Sequence, residues 1–512
     1  MTSAPDLMPV FVKEVRALAP ALLKCIAAVW LVAFFAAPDT LRLVLAAYVI
    51  GATILGALSI GHEYTFKTLQ DYLTQPIPRT RLLAVKAGSL AMCLAVLWGM
   101  AAAAIDPLSL GHLTTDMVSL GRGLLVVPTL LALCLAPWLT MVCRSPMAGA
   151  VFTLAIPAVI WIGGETVAVA RYGLVDQSTS QFETLKLTFL EWASPVLVVG
   201  GALMTWRTFM RLEAIDGAGD AVNLPRVGAL WSSRAAAAGV TVRSRTLALI
   251  AKELRLQQMS FVVAALYSLV VGAVLVARYF VPTFLGPTLG VVTEFYSLLL
   301  AALIGSLASA SERQLGVHEW QLLQPVSSGW QWMLKCGVGL GLVALLVVGL
   351  PHVLDLFAPA GSLDSVVDRR VNAIVYVAVA ICALYVSSIS KDGLRAFVTA
   401  VPVILAGALL TAVIFGAVMA VVSSWTGRLL IQTFGPPHGS IRHSIDLRWM
   451  IAAWLTMTSV AGLLLRFGLS NHRASSGSAR AIRTQFLWIG LSLTSACVVY
   501  SALRVVIGYT LR

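Results

Sequence analysis

Residues 63–88 read EYTFKTLQDYLTQPIPRTRLLAVKAG, and residues 312–337 read ERQLGVHEWQLLQPVSSGWQWMLKCG. The two stretches align without a gap: Glu63 with Glu312, Leu73 with Leu322, Gln75 with Gln324, Pro76 with Pro325, Lys86 with Lys335 and Gly88 with Gly337. Each copy is a polar connection set between two apolar runs. Two further pairs of landmarks keep the same order. Lys13-Glu14-Val15-Arg16 opens the first half and Lys252-Glu253-Leu254-Arg255 the second, while Arg144 and Lys391 occupy comparable short turns later in each half. Three matched landmarks in one order describe a duplicated unit, and duplicated transporter folds commonly place their pathway where the repeats meet.

The surrounding chain belongs in lipid. Of its 512 residues, 59% are hydrophobic and only 12% charged, more apolar than a water-soluble domain of this size needs for one core. Apolar runs long enough to cross about 30 Å of hydrocarbon as helices fall near 22–38, 41–61, 82–105, 117–142, 146–170 and 190–209, then near 261–281, 289–311, 334–354, 371–390, 396–422, 447–467 and 485–508. The expected fold class is therefore all-α: two tandem six-helix bundles related by a pseudo-twofold axis along the membrane normal, plus one extra C-terminal helix. The expected division is a first transmembrane half over 1–210, a cytoplasmic linker over 211–241, a second half over 242–468, and a linker with the extra span over 469–512. The first residues lack the basic, apolar, small-residue order of a cleavable signal, so the first helix is expected to stay.

A net charge of +13 comes from 36 Lys and Arg against 23 Asp and Glu. With the N-terminus in the cytoplasm, most of these cations, Lys24 included, fall in the connections on that side, as the positive-inside rule requires. The expected location is a bacterial cytoplasmic (inner) membrane, with the C-terminus on the far side. No basic, aromatic-interleaved stretch points to nucleic acid.

The repeated connection has a physical reading of its own. Residues 63–72 suffice for about two to three helical turns before Pro76 ends them. Phe66, Leu69 and Leu73 fall at helical spacing, and the second copy offers Leu315, Trp320 and Leu322 less regularly. Such a short surface helix either slots into a partner's groove or rests on headgroups, anchored by Lys67, Arg79 and Arg81. Two copies on one face suit a partner that is itself twofold.

An acidic residue at the end of the second helix, followed by a segment closing in L-x-Q-P-[IV]-x-R-x-x-L-L-x-x-K, resembles the first cytoplasmic loop of ABC-2 type permeases. The K-E-[VL]-R stretches resemble that family's interfacial elbow helix. The resemblance implies that Glu63 and Glu312 stand at the gate end of the second helix of each half. It makes Thr68 through Gln75 (with Leu69, Leu73 and Pro76) and Val317 through Gln324 (with His318, Leu322 and Pro325) coupling helices against an ATPase. Arg144 and Lys391 become secondary cytoplasmic contacts, and Lys13, Glu14, Arg16, Lys252, Glu253 and Arg255 belong to the elbows. The second copy departs from the pattern: Val317-His318 replaces Thr68-Leu69, and Ser327-Ser328-Gly329 replaces Pro78-Arg79-Thr80.

No G-x-x-x-x-G-K-[ST] phosphate loop occurs, so the chain is expected to be a transport subunit with no cofactor of its own. The resemblance then implies two copies of a separate ABC ATPase subunit, which bind the ATP and Mg, together with membrane lipids and an exported substrate, whether an amphiphile, a drug-like compound, a lipid or a peptide. The seven histidines (His62, His112, His318, His352, His438, His443, His472) show none of the spacings of a metal site, and no metal is expected. The seven cysteines read as small apolar packing residues. Glu165, Arg171, Glu191 and Glu294 fall near outer helix ends, either as interfacial residues or as an outer gate. Two other classes stand against the permease: an ion-gradient-driven secondary transporter, which calls for ionisable groups deep in the spans, and a membrane-embedded transferase, which calls for a carboxylate pair or metal cluster on an aqueous loop.

Overall fold

In a computed structural model of the chain, residues 8–34, 40–66, 68–69, 77–109, 115–172, 180–212, 245–280, 286–323, 326–357, 369–434, 446–474 and 479–510 are described. Among them there is no strand, and the architecture is all-α. The first half comprises α1 (Met8–Phe34), α2 (Thr40–Phe66), α3 (Arg79–Ser109), α4 (Thr115–Cys143), α5 (Pro146–Tyr172) and α6 (Ser180–Met210). The second comprises α7 (Arg245–Leu256), α8 (Gln258–Phe280), α9 (Gly286–Gln314), the short α10 (His318–Leu322), α11 (Ser328–Leu342), α12 (Leu350–Leu356), α13 (Arg369–Ile389), α14 (Gly393–Phe434) and α15 (Asp446–Arg473), with α16 (Ala479–Thr510) after it. Nine helical stretches among the described residues are long and apolar enough to cross a membrane. The runs at 146–170, 190–209, 447–467 and 485–508 are helical too, inside α5, α6, α15 and α16.

The duplication extends into the packing. In both halves the second long helix lies against the fourth, α2 on α4 and α9 on α13. Gly56 and Gly305 stand 249 residues apart and permit both approaches. A methyl group at Gly56 would overlap the carbonyl of Ala132, and one at Gly305 the carbonyl of Ala380. The halves meet reciprocally, α1 against α14 and α8 against α5.

Three features depart from strict duplication. In the second half the elbow α7 is its own helix, closed at Gln257, whose Nε2 donates to the Ile304 carbonyl (3.0 Å) and whose Oε1 accepts from Ser260 (2.9 Å). In the first half elbow and span are one continuous α1 with Pro20 inside it, so Lys24, expected in a cytoplasmic connection, lies instead within the helix. It stands ten residues past Glu14, about 15 Å along the axis. Second, a π-helical stretch, Val343–Gly349, joins α11 to α12, and the carbonyls of Leu346 and Val347 accept from Tyr296 (2.9 Å) and Ser297 (3.3 Å) of α9. Third, α16 has no counterpart. It packs on α14 and α15, held by a reciprocal amide pair in which Asn471 Nδ2 donates to Gln485 Oε1 (3.1 Å) and Gln485 Nε2 to Asn471 Oδ1 (2.9 Å). Tyr385 adds its hydroxyl to Gln485 (3.0 Å).

Candidate functional site: two buried ion clusters beneath the repeated loops

The repeated loops leave their helices in the same way. The Thr68 N–H donates to the Glu63 carbonyl and the Val317 N–H to the Glu312 carbonyl, each at 3.1 Å, the long capping bond that closes a helix C-terminus. In the second loop Gly316 supplies the left-handed residue this requires, at φ +70°.

Beneath each cap lies a cluster of buried charge. Lys86 Nζ, on α3, sits 2.9 Å from Glu14 Oε2 of α1, 3.2 Å from Glu63 Oε1 of α2 and 3.2 Å from the Ser59 carbonyl. Lys335 Nζ, on α11, sits 2.9 Å from Glu253 Oε1 of α7, 2.5 Å from Glu312 Oε1 of α9 and 3.3 Å from the Ala308 carbonyl. All six side chains are essentially excluded from solvent. The three residues on each side are the counterparts that the repeat aligns, so one lysine joins elbow, second span and third span in each lobe. A buried charge is tolerated only when paired, and removing one partner of a buried pair costs about 3–5 kcal/mol because the other is left uncompensated.

The neighbours differ. In the first lobe Thr68 Oγ1 donates to Glu63 Oε2, and His62 places Nε2 at 3.2 Å from Glu63 Oε1 and 3.6 Å from Glu14 Oε2. In the second, Lys252 Nζ reaches Glu312 Oε1 at 2.5 Å, whereas its counterpart Lys13 points into solvent. Burial raises the Glu253 carboxyl above its ordinary value, against the opposing pull of Lys335. His318 is buried with its Nδ1 4.0 Å from Glu312 Oε2, and its ring meets that of His472 edge-on at 5.1 Å. His472 follows Asn471, the residue that grips α16, so the extra helix braces the second loop from behind.

The expected site residues divide into buried anchors and exposed tips. Glu63 and Glu312 hold the loop bases and present no surface to a partner. Glu14 and Glu253 turn inward, while Arg16 and Arg255 stay exposed. Thr68 and Leu69 are half-buried; Leu73, Gln75, Pro76, Gln324 and Pro325 lie outside the described residues. In the second loop Leu322 is half-buried, and Leu315, Val317, Trp320 and Leu323 form an exposed apolar tip, with Trp320 73% and Leu323 78% accessible. Arg144 and Lys391 are exposed at the α4–α5 and α13–α14 turns, each followed by a side-chain cap: Ser145 Oγ accepts from Ala148 N (3.4 Å) and Asp392 Oδ1 from Arg395 N (2.8 Å). Glu294 is exposed on α9, and the side chains of Glu165, Arg171 and Glu191 lie outside the described set.

The departure at Ser327-Ser328-Gly329 has a structural compensation. Arg79 donates through Nη1 to the Met210 carbonyl (2.7 Å), tying the start of α3 to the end of α6. At the equivalent place Ser328 accepts from Arg473 Nε (3.2 Å), tying α11 to the end of α15. The contact persists with the arginine moved to the other helix.

Sequence reasoning did not single out Lys86 and Lys335 as hubs, nor His62 as their neighbour. The available signal was a lysine and two glutamates recurring at matched positions at the edges of apolar runs, where unpaired charge is costly. Comparison with protein-family models, with curated proteins and with solved structures finds no match to this chain.

Proposed function

We propose that the chain is the membrane-spanning part of an ATP-driven exporter of the ABC-2 permease type. In this reading twelve spans form two like lobes about an axis along the membrane normal, with a thirteenth C-terminal span beside them, in a bacterial inner membrane. The N-terminus is cytoplasmic and the C-terminus is on the far side. Two ATPase subunits dock on the repeated loops and bind the ATP and Mg, and this chain carries no hydrolytic site of its own. The observation that carries the reading is the pair of ion clusters. Each binds the base of a repeated loop to three helices, so a force applied at the loop tip moves those helices as one body. The apolar tip of Leu315, Val317, Trp320 and Leu323 offers such a force a handle. Closure of the ATPases would then rock the lobes between inward-facing and outward-facing arrangements that already exist in equilibrium, expelling an amphiphilic substrate.

The test is co-purification. A tagged chain solubilised from its native membrane is expected to bring down an ATPase with a phosphate loop, and Trp320→Asp with Leu323→Asp is expected to release it. Absence of any such ATPase, or an unchanged band from the double variant, defeats the reading.

A second reading, an ion-gradient-driven transporter, gains support from Lys24. This cation lies inside α1 and donates to Thr399 Oγ1 of α14 across the lobe boundary (2.6 Å). An ionisable residue at that depth is the feature such a transporter needs. Uptake into ATP-free vesicles under an imposed ion gradient, abolished by Lys24→Met, would favour it over the first.

A further inference from the structure

The two clusters do not carry the same charge. In the second lobe two carboxylates, Glu253 and Glu312, face two ammonium groups, Lys335 and Lys252. In the first, Glu14 and Glu63 face Lys86 alone, because Lys13 points away. In place of a second lysine, His62 sets its Nε2 beside the same two oxygens that Lys86 holds, Glu63 Oε1 and Glu14 Oε2.

The chemistry of His62 follows from its other nitrogen. Nδ1 lies 2.8 Å from the Leu58 carbonyl, which can only accept, so Nδ1 carries a hydrogen. In the neutral ring Nε2 is then a bare lone pair, aimed at two carboxylate oxygens that are themselves acceptors. Three electron-rich atoms converge, and the single positive group on them, Lys86 Nζ, is shared between the same two carboxylate oxygens, just as Lys335 and Lys252 share Glu312 Oε1 in the second lobe. One ligating atom from each of Glu14, His62 and Glu63 lies within 4.8 Å of the others, a spacing that a single small cation can span. The supporting contacts match those of ligating residues elsewhere: the ring is oriented by a backbone carbonyl, and Glu63 Oε2 is held by Thr68. Glu14 Oε1 is buried and has no hydrogen-bond partner among the described residues, so the Glu14 carboxylate keeps acceptor capacity.

We propose that the first lobe binds a cation on the Nε2 lone pair of His62, between Glu14 and Glu63, in the place that Lys252 fills permanently in the second lobe. The ligand chemistry is that of an electron-pair acceptor, and a borderline transition-metal ion such as Zn²⁺ provides it. The charged and titratable groups facing the site are Glu63 from α2, Glu14 from α1 and Lys86 from α3, with Arg144 of the α4–α5 turn close to Tyr64 beyond them. Lys86 already neutralises one carboxylate, so one added positive charge balances the set, and a divalent ion leaves it at +1. Since Glu63 also holds Thr68 at the mouth of the first loop, occupancy would set how firmly that loop is attached. The inference stands on the cluster alone, whatever drives transport.

The experiment is thermal unfolding of the chelator-stripped, detergent-purified full chain, as wild type and as His62→Gln. One arm adds zinc chloride at constant pH, and the other adds the same zinc with chelator in excess. The wild type is expected to gain about 2 °C or more over His62→Gln in the zinc arm and nothing over it in the chelator arm. His62→Arg, which supplies a fixed cation, is expected to fold and to respond in neither arm, and it keeps the test decisive if His62→Gln does not fold. Wild type responding no differently from the histidine variants in the zinc arm overturns the proposal.

Discussion

The first and second lobes hold the same Glu–Lys–Glu arrangement but complete it with different residues. Around Lys335 the set is closed: Lys252 supplies a second permanent charge, and His318, His472 and the Asn471–Gln485 pair back it with α15 and α16. Around Lys86 the set is one cation short, backed by Thr68 and a mostly buried His62. What the lobes share is therefore the mechanical link between loop and helices, and what separates them is how the leftover negative charge is met. If the loops transmit force, the second lobe is the stiffer lever and the first the adjustable one.

Removing the hubs gives the largest effect and breaks the comparison most directly. Lys86→Met leaves Glu14 and Glu63 with only His62, whereas Lys335→Met still leaves Lys252 beside Glu312. Both should destabilise by about 3 kcal/mol or more, with Lys86→Met the worse. Chemical denaturation in mixed micelles measures this, and equal losses, or a reversed order, would show that the lobes are not differently balanced.

The outlines of these lobes were legible in the chain itself, because the Glu63 and Glu312 segments align over 26 residues and bracket apolar runs whose length alone declares helices. The pairing of Glu14 with Lys86, 72 residues apart, was not legible. Helical periodicity says which face of a helix is apolar, but not which helices neighbour each other, and a charge at a span's end reads as a snorkelling residue until its partner is known. The same limit hid Lys24, which lies near the start of the run at 22–38 and reads there as part of the connection before it, whereas α1 continues unbroken from Met8 to Phe34. Gly56 and Gly305 lay in plain view at the repeat spacing, yet a glycine in an apolar run is common enough in membrane helices that only the opposing Ala132 and Ala380 carbonyls give it meaning.

Those glycines sharpen the comparison from the other side, since here the lobes should behave alike. Gly56→Ala and Gly305→Ala each force α2 from α4, or α9 from α13, against backbone that cannot swing aside. Each is expected to cost about 1–3 kcal/mol, equal within error by the same denaturation assay. A loss in one lobe only would mean that the two helix pairs are not equivalent.

Next in size is the brace that only the second lobe possesses. Gln485→Ala takes the donor from Asn471 Oδ1 and the acceptor from the Tyr385 hydroxyl, while Asn471 Nδ2 keeps Ser388 Oγ, at about 1–3 kcal/mol. If α16 steadies the second loop through His472, protease cleavage near Trp320 should quicken in this variant while cleavage in the first loop stays unchanged. Equal acceleration at both loops would assign α16 a general packing role.

The smallest effect tests whether the relocated arginine is a true substitute. Arg473→Ser removes the donor to Ser328, and Ser328→Arg alone sets two arginines against each other. The double exchange, Ser328→Arg with Arg473→Ser, restores in the second lobe the polarity that Arg79 has in the first, with an arginine at the start of α11 facing the carbonyls at the end of α15. The contact is exposed, so each single change should cost about 1 kcal/mol or less. The double variant should recover most of that loss as a coupling energy in the mutant cycle. Strict additivity would mean that the ties of α3 to α6 and of α11 to α15 each tolerate an arginine on only one side, and that the two ends have diverged in geometry as well as in residue.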